Sequence, residues 1–260
     1  MGVSATPCMQ RSTKAIGCAA RFLIMTRLAR VIAVDVPHHV TQRGNARRFI
    51  LDCDADRIAY LNLLRRNIEL HGLGLIGYCL MSNHVHLVVT PHNTDGLGLA
   101  LRHTHGRYAI YWNAVHQSSG HTWQGRYYSC PLDRVHLSEA LRYTELNPVR
   151  AGLAREAEAW AWSSAAAHCG AESRNEALDL ELWRKSWTAN AWRQYLAAGE
   201  MESKLTEIRR CTHTGRPLGS AEFVQALEGT MKRRLAPQKG GRPPKAGLDA
   251  RQSKLAFESE

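Results

Sequence analysis

The spacing of apolar positions changes period several times along this chain, and the changes mark out its elements. RVIAVDVPHHVTQ (30–42) is rich in β-branched residues and predicts a strand, with Pro37 at a bulge or edge. Over 54–72, Ile58, Leu61, Leu64 and Ile68 recur at helical spacing, an aspartate opens the segment and Gly72 closes it. LGLIGYCLM (73–81) and HVHLVV (84–89) flank a short turn at Ser82 and Asn83 and predict a β-hairpin. A second helix is predicted over 97–116, a fourth strand over 121–130 and a third helix over 137–147. Ser138 is the expected N-cap of that helix and Pro148 its stop, because the residue before proline avoids the α region.

The resulting order, βαββαβ and then a helix, predicts an α+β fold of the ferredoxin-like, split βαβ kind. Two helices would cover one face of an antiparallel sheet of four to five strands, leaving the other face open. Side chains alternate along a strand. Val85, Leu87 and Val89 therefore belong under the two helices, and His84, His86 and Val88 face the open side. The helix over 137–147 is the element expected to lie across that side, and it carries Tyr143 and Asn147 one turn apart.

Two imidazoles at i and i+2 lie about 7 Å apart at Cα, close enough to share a metal ion. In a chain with 13 histidines such a pair also arises by chance. A metal site needs a further ligand and open positions. An asparagine oxygen suits a hard cation such as Mg²⁺ or Mn²⁺, and a tyrosine beside it can act as a nucleophile. Taken alone, Tyr143 is equally a core aromatic and Asn147 a helix C-cap.

The net charge of +11 favours a polyanionic partner, nucleic acid being the commonest. Seven widely spaced cysteines without a CxxC argue against a disulfide framework or a zinc knuckle and point to a reducing cytosol. No apolar run is long enough to span a membrane. Four regions are expected: an extension over 1–26, a main domain over 27–165, a helical link over 166–204 containing Trp183, Trp187 and Trp192, and a basic DNA-binding region over 205–260. Between 205 and 245 nine basic residues stand against three acidic ones, and KGGRPPK resembles an AT-hook core.

NHVHLV resembles the HUH motif, and LRYTELNPVRAGL (141–153) resembles the nucleophile segment of single-tyrosine HUH transposases, in particular the REP-associated tyrosine transposases. VPHHVTQRGNARR (36–48), WQGRYYS (123–129) and WAWSS (160–164) are similar to that family and stand in the same order. Ser82 departs from it, at a turn position where proline is frequent. The resemblance implies that His84, His86 and Asn147 bind a divalent cation, Mg²⁺ or Mn²⁺, and that Tyr143 is the nucleophile. It implies a substrate of single-stranded DNA folded into hairpins, a 5′-phosphotyrosine intermediate, and a monomer or homodimer in the bacterial cytoplasm, associated with the nucleoid. Arg43, Arg126, Arg142, Arg150, Arg216 and Arg242 are the arginines expected to contact DNA.

Two other readings compete. A relaxase or replication initiator expects its tyrosine before the histidines, where only Tyr60 and Tyr78 stand, both at core positions. A non-catalytic nucleic-acid-binding regulator, such as an RNA-binding protein of like topology, expects aromatics on the central strands, where this chain has histidines.

Overall fold

The computed structural model describes residues 30–172 and 177–236. The extension at 1–26, the KGGRPPK segment and Arg242 lie outside the described residues. The sheet has four strands: β1 (His38–Arg43), β2 (Leu73–Met81), β3 (His84–Pro91) and β4 (Tyr128–Pro131). Their order is β2-β3-β1-β4 and every neighbouring pair is antiparallel. With α1 (Asp54–Leu70) and α2 (Gly96–Val115) between the strands, this is the ferredoxin-like order that the period changes predicted.

Both helices pack on one face. Val40, Tyr78, Leu80, Val85, Leu87 and Val89 of the sheet meet Tyr60, Leu64, Ile68, Leu97, Leu101 and Tyr108 of the helices in one buried cluster. Strict alternation along β3 produces this division: the three apolar residues of its odd-numbered positions go inward together.

The opposite face is not open, which corrects the sequence expectation. It carries a second core built from α3 (Arg134–Glu145), α4 (Asn147–Arg150), α5 (Ala165–His168), α6 (Glu181–Arg184), α7 (Ala189–Ala197) and α8 (Glu202–Thr214), with α9 (Ala221–Met231) beyond them. Ile76, Val88 and Cys130 of the sheet are buried there against Leu137, Leu141, Trp192, Leu205 and Ile208. The apolar residues that cover this face are spread over some ninety positions and show no single period, so pattern reading gave them no common partner. Gly77 sets how closely α3 approaches: a Cβ there would stand 2.5 Å from Leu141 Cδ2.

Three boundaries differ from those read off the sequence. β1 begins at His38, not at 30, because Asp35 takes a left-handed backbone (φ 58°) and Pro37 has no N–H to give the ladder. Val31 and Ala33 pack instead against Leu227 and Leu235. β4 keeps only four residues; Trp123 makes an isolated bridge to Gly44, and Gly125 (φ 65°) turns the chain between them. α3 starts three residues early, capped by Asp133, whose carboxylate accepts from the His136 backbone at 2.8 Å. Ser138 instead accepts a bond from Trp187 Nε1 at 2.8 Å. Pro148 does not stop α3 but sits in the first turn of α4, where its missing N–H costs nothing.

Candidate active site

His84 opens β3, opposite Arg43 of β1 and Met81 of β2; His86 follows two residues on, opposite Thr41 and Cys79. The rings project to the second face, 5.0 Å apart between centroids and nearly perpendicular. His86 is buried, while His84 stays half-buried at the hairpin end. Tyr143 occupies the last turn of α3 and Asn147 the first position of α4, so one helical turn brings both over the histidines. The Tyr143 ring stands edge-on to His86 at 5.5 Å and to His39 at 5.6 Å.

His84, His86, Tyr143 and Asn147 line one cavity of about 560 Å³, together with Arg43, Arg150 and, from α8, Arg209 and Thr212. Hydrogen bonds decide which atoms remain available in it. His84 Nδ1 is bonded to Asn83 Oδ1 at 2.6 Å, and His86 Nδ1 to His39 Nε2 at 2.9 Å. In both rings this leaves Nε2. The Asn147 amide nitrogen donates to the carbonyls of Tyr143 (3.0 Å) and Thr144 (3.2 Å), which leaves its Oδ1. Burial pushes the His84 imidazole down to about 4, with the charges of Arg43 and Arg150 adding to it. Burial also holds His86 well below its usual range, aided by His84, His39 and both arginines. Both rings are therefore neutral near pH 7.

Two cations face the tyrosine. The Arg150 guanidinium lies 4.4 Å from the centre of the Tyr143 ring, donates to the Tyr143 carbonyl at 2.5 Å and pairs with Glu200. Arg209 lies 5.9 Å from the same ring centre.

The other arginines singled out in the sequence are dispersed. Arg43 is exposed at the cavity mouth. Arg142 points away, stacking at 4.0 Å over Tyr195. Arg126 and Arg216 line a neighbouring cavity of about 510 Å³, which shares Thr212 and His213 with the first. Arg216 there donates to the Leu235 carbonyl at 2.6 Å. The competing tyrosines are elsewhere: Tyr60 of α1 and Tyr78 of β2 are buried in the first core, as is most of Tyr127, and Tyr128 meets His213 at 4.4 Å between tilted rings. The site also contains residues to which the sequence assigned no role: His39, Arg209 and Thr212. His39 was legible in part, since a strand starting at His38 puts it on the His86 face; nothing in the sequence pointed to Arg209 or Thr212.

The family model described as "Transposase IS200 like" matches residues 33–147, a span that includes both histidines and Tyr143 and ends on Asn147. Over that span the chain is similar to IS200-like transposases, as the motifs of the sequence lead one to expect, while α5 to α9 lie beyond the matched residues. None of the curated proteins matches the chain significantly in sequence. Among solved structures, a REP-associated tyrosine transposase bound to a REP hairpin is similar at a TM-score of 0.49 and 15% identity, covering 60% of this chain and 93% of that one. A putative transposase from Deinococcus radiodurans is similar at a TM-score of 0.33 and 18% identity, covering 45% and 93%. Among the described residues no helix is long and apolar enough to cross a membrane.

Proposed function

We propose that this protein cuts and rejoins single-stranded DNA presented as a hairpin of the REP type, with Tyr143 as the nucleophile. The observation that carries the reading is the convergence of Tyr143, His84, His86 and Asn147 on one basic cavity. The Tyr143 oxygen attacks a backbone phosphorus, forming the phosphotyrosine ester on the 5′ side. The bond to the 3′ oxygen breaks, and that oxygen leaves as a 3′-OH once it takes up a proton. Attack by a 3′-OH on the ester reverses the step and rejoins the strand.

A phenol has a pKa near 10 and is a weak nucleophile until its oxygen is relieved of the proton. Arg150 and Arg209 both stand over its ring, placed to offset the negative charge that gathers as the phosphate is attacked. Arg43 at the mouth is placed to hold the phosphate.

The donor atoms fit a divalent cation. Two neutral Nε2 atoms and one amide oxygen remain free of intramolecular bonds in the same cavity. Among the described residues no group of three or more His, Cys, Asp or Glu is arranged to hold a metal ion, so an asparagine oxygen would complete the set. That mixture of imidazole and oxygen ligands accepts Mn²⁺ or Mg²⁺. Bound there, such a cation supplies charge stabilisation for the phosphate. His84, His86 and Asn147 would hold it.

The test is incubation of the protein with end-labelled single-stranded hairpins and Mn²⁺ or Mg²⁺. A covalent adduct that survives denaturation is expected from the wild type and absent from Tyr143→Phe, which should still bind the hairpin. An adduct formed by Tyr143→Phe would remove Tyr143 from the role.

A further inference from the structure

His39 is the third imidazole of this site. It lies on β1, diagonal to His86 across the β1–β3 pair, since its direct partner is Val88 and that of His86 is Thr41. The two rings are parallel within 9° at 5.2 Å, and the 2.9 Å bond joins His39 Nε2 to His86 Nδ1. On its other side His39 Nδ1 is bonded to Thr212 Oγ1 at 2.8 Å, and that hydroxyl meets Cys130 Sγ at 3.3 Å. His39, His86, Thr212 and Cys130 are all buried.

Each neutral imidazole has one donor and one acceptor nitrogen, so this chain of bonds has only two polarities. If His86 Nε2 is to offer a lone pair to the cavity, its proton must sit on Nδ1. His39 Nε2 must then accept, which puts the His39 proton on Nδ1, donating to Thr212. The opposite polarity places the His86 proton on Nε2 and closes that atom to any ligand. The neighbouring ligand is arranged alike, with Asn83 Oδ1 as the acceptor for His84 Nδ1–H.

We propose that His39 is a positioning residue that orients the His86 ring and fixes its tautomer for metal binding, and that Thr212 of α8 orients His39 in turn. The cation site is then completed by the C-terminal helical region, from a residue outside the matched family span. The proposal rests on the reading of His84, His86 and Asn147 as ligands. Outer partners of metal-bound histidines commonly contribute 10- to 100-fold to affinity.

Calorimetric titration of the full chain with Mn²⁺ tests it. His39→Leu removes the acceptor and should weaken Mn²⁺ binding by about 10- to 100-fold. His39→Gln, whose amide can accept from His86 and donate to Thr212, should retain affinity within a few-fold. Thr212→Val keeps the shape, removes the hydroxyl and should fall between the two. In Mg²⁺-saturated protein labelled with ¹⁵N-histidine, His39 and His86 should both be protonated at Nδ1, and the His39 Nδ1 proton, its acceptor gone, should exchange rapidly with solvent in Thr212→Val.

Wild-type affinity in His39→Leu or in Thr212→Val, or His39 protonated at Nε2 in the Mg²⁺-saturated wild type, overturns the proposal. If His39→Leu does not fold, Thr212→Val and the spectrum decide it. A wild type that binds no Mn²⁺ at all refutes the ligand assignment itself, which separates that failure from this one.

Discussion

Glu145, two residues after Tyr143, should prove the most sensitive position of the second core. Its side chain is fully buried and accepts three hydrogen bonds: from Ser164 Oγ at 2.5 Å, His168 Nδ1 at 2.5 Å and Trp192 Nε1 at 2.8 Å. All three donors are themselves buried, and His168 Nε2 has no hydrogen-bond partner among the described residues. The carboxylate thus ties α3 to the segment 160–164, to α5 and to α7. A buried donor left unpaired costs about 1–3 kcal/mol. Glu145→Ala strands three of them and should cost about 5 kcal/mol, a large part of the roughly 5–15 kcal/mol by which a domain is stable. Glu145→Gln keeps the volume but turns one acceptor oxygen into a donor facing a donor, and should cost about 2–4 kcal/mol. Urea unfolding followed by tryptophan fluorescence measures both. A Glu145→Gln midpoint within 0.5 kcal/mol of wild type, taken as roughly the edge of ordinary surface effects, would refute the claim that this network fixes α3. Because the same network sets the register of the last turn of α3, Glu145→Gln should also slow adduct formation under conditions where it remains folded.

Further outcomes follow from the same geometry. Gly77→Ala should push α3 off the sheet, since its Cβ would meet Leu141 at 2.5 Å; we expect a loss of about 1–3 kcal/mol and slower adduct formation, read by urea unfolding and the hairpin assay. His105, buried against Tyr60 and Trp123, is held down by burial to about 3 from 6.5. The folded protein therefore refuses a proton that the unfolded chain takes up, so stability is full above about pH 6.5 and falls as pH drops towards 3. Between pH 7 and pH 5 this one group costs about 2 kcal/mol, and His105→Gln should lose that much less; equal losses in the two proteins would show that His105 does not titrate on unfolding. Deleting residues 237–260 removes five basic residues, Lys239, Arg242, Lys245, Arg251 and Lys254, against three acidic ones, and should flatten the salt dependence of hairpin affinity, while an unchanged slope would mean those charges do not meet phosphate.

The deletion is placed after 236 rather than before 205 for a reason that bears on what the sequence could reveal. The strand and helix periods gave the sheet, its order and the face on which His84 and His86 stand, because each of those rests on contacts within or between neighbouring elements. Tyr143 and Asn147 were legible for the same reason: one helical turn separates them, and that helix had only one face left to cover. The second core was not legible. Trp192, Leu205, Ile208 and Thr212 reach the sheet from far along the chain, through short helices joined by loops, and their burial follows from tertiary packing rather than from any local period. Basic composition over 205–245 suggested an appendage, yet Leu205, Ile208 and Cys211 are buried, and Arg209 and Thr212 line the cavity of Tyr143. A charge count weighs a segment by its exposed residues and is blind to the apolar stripe between them. In α8 that stripe holds the helix on the sheet, and the polar residues beside it, Arg209 and Thr212, are the ones delivered to the tyrosine and to the relay behind His86.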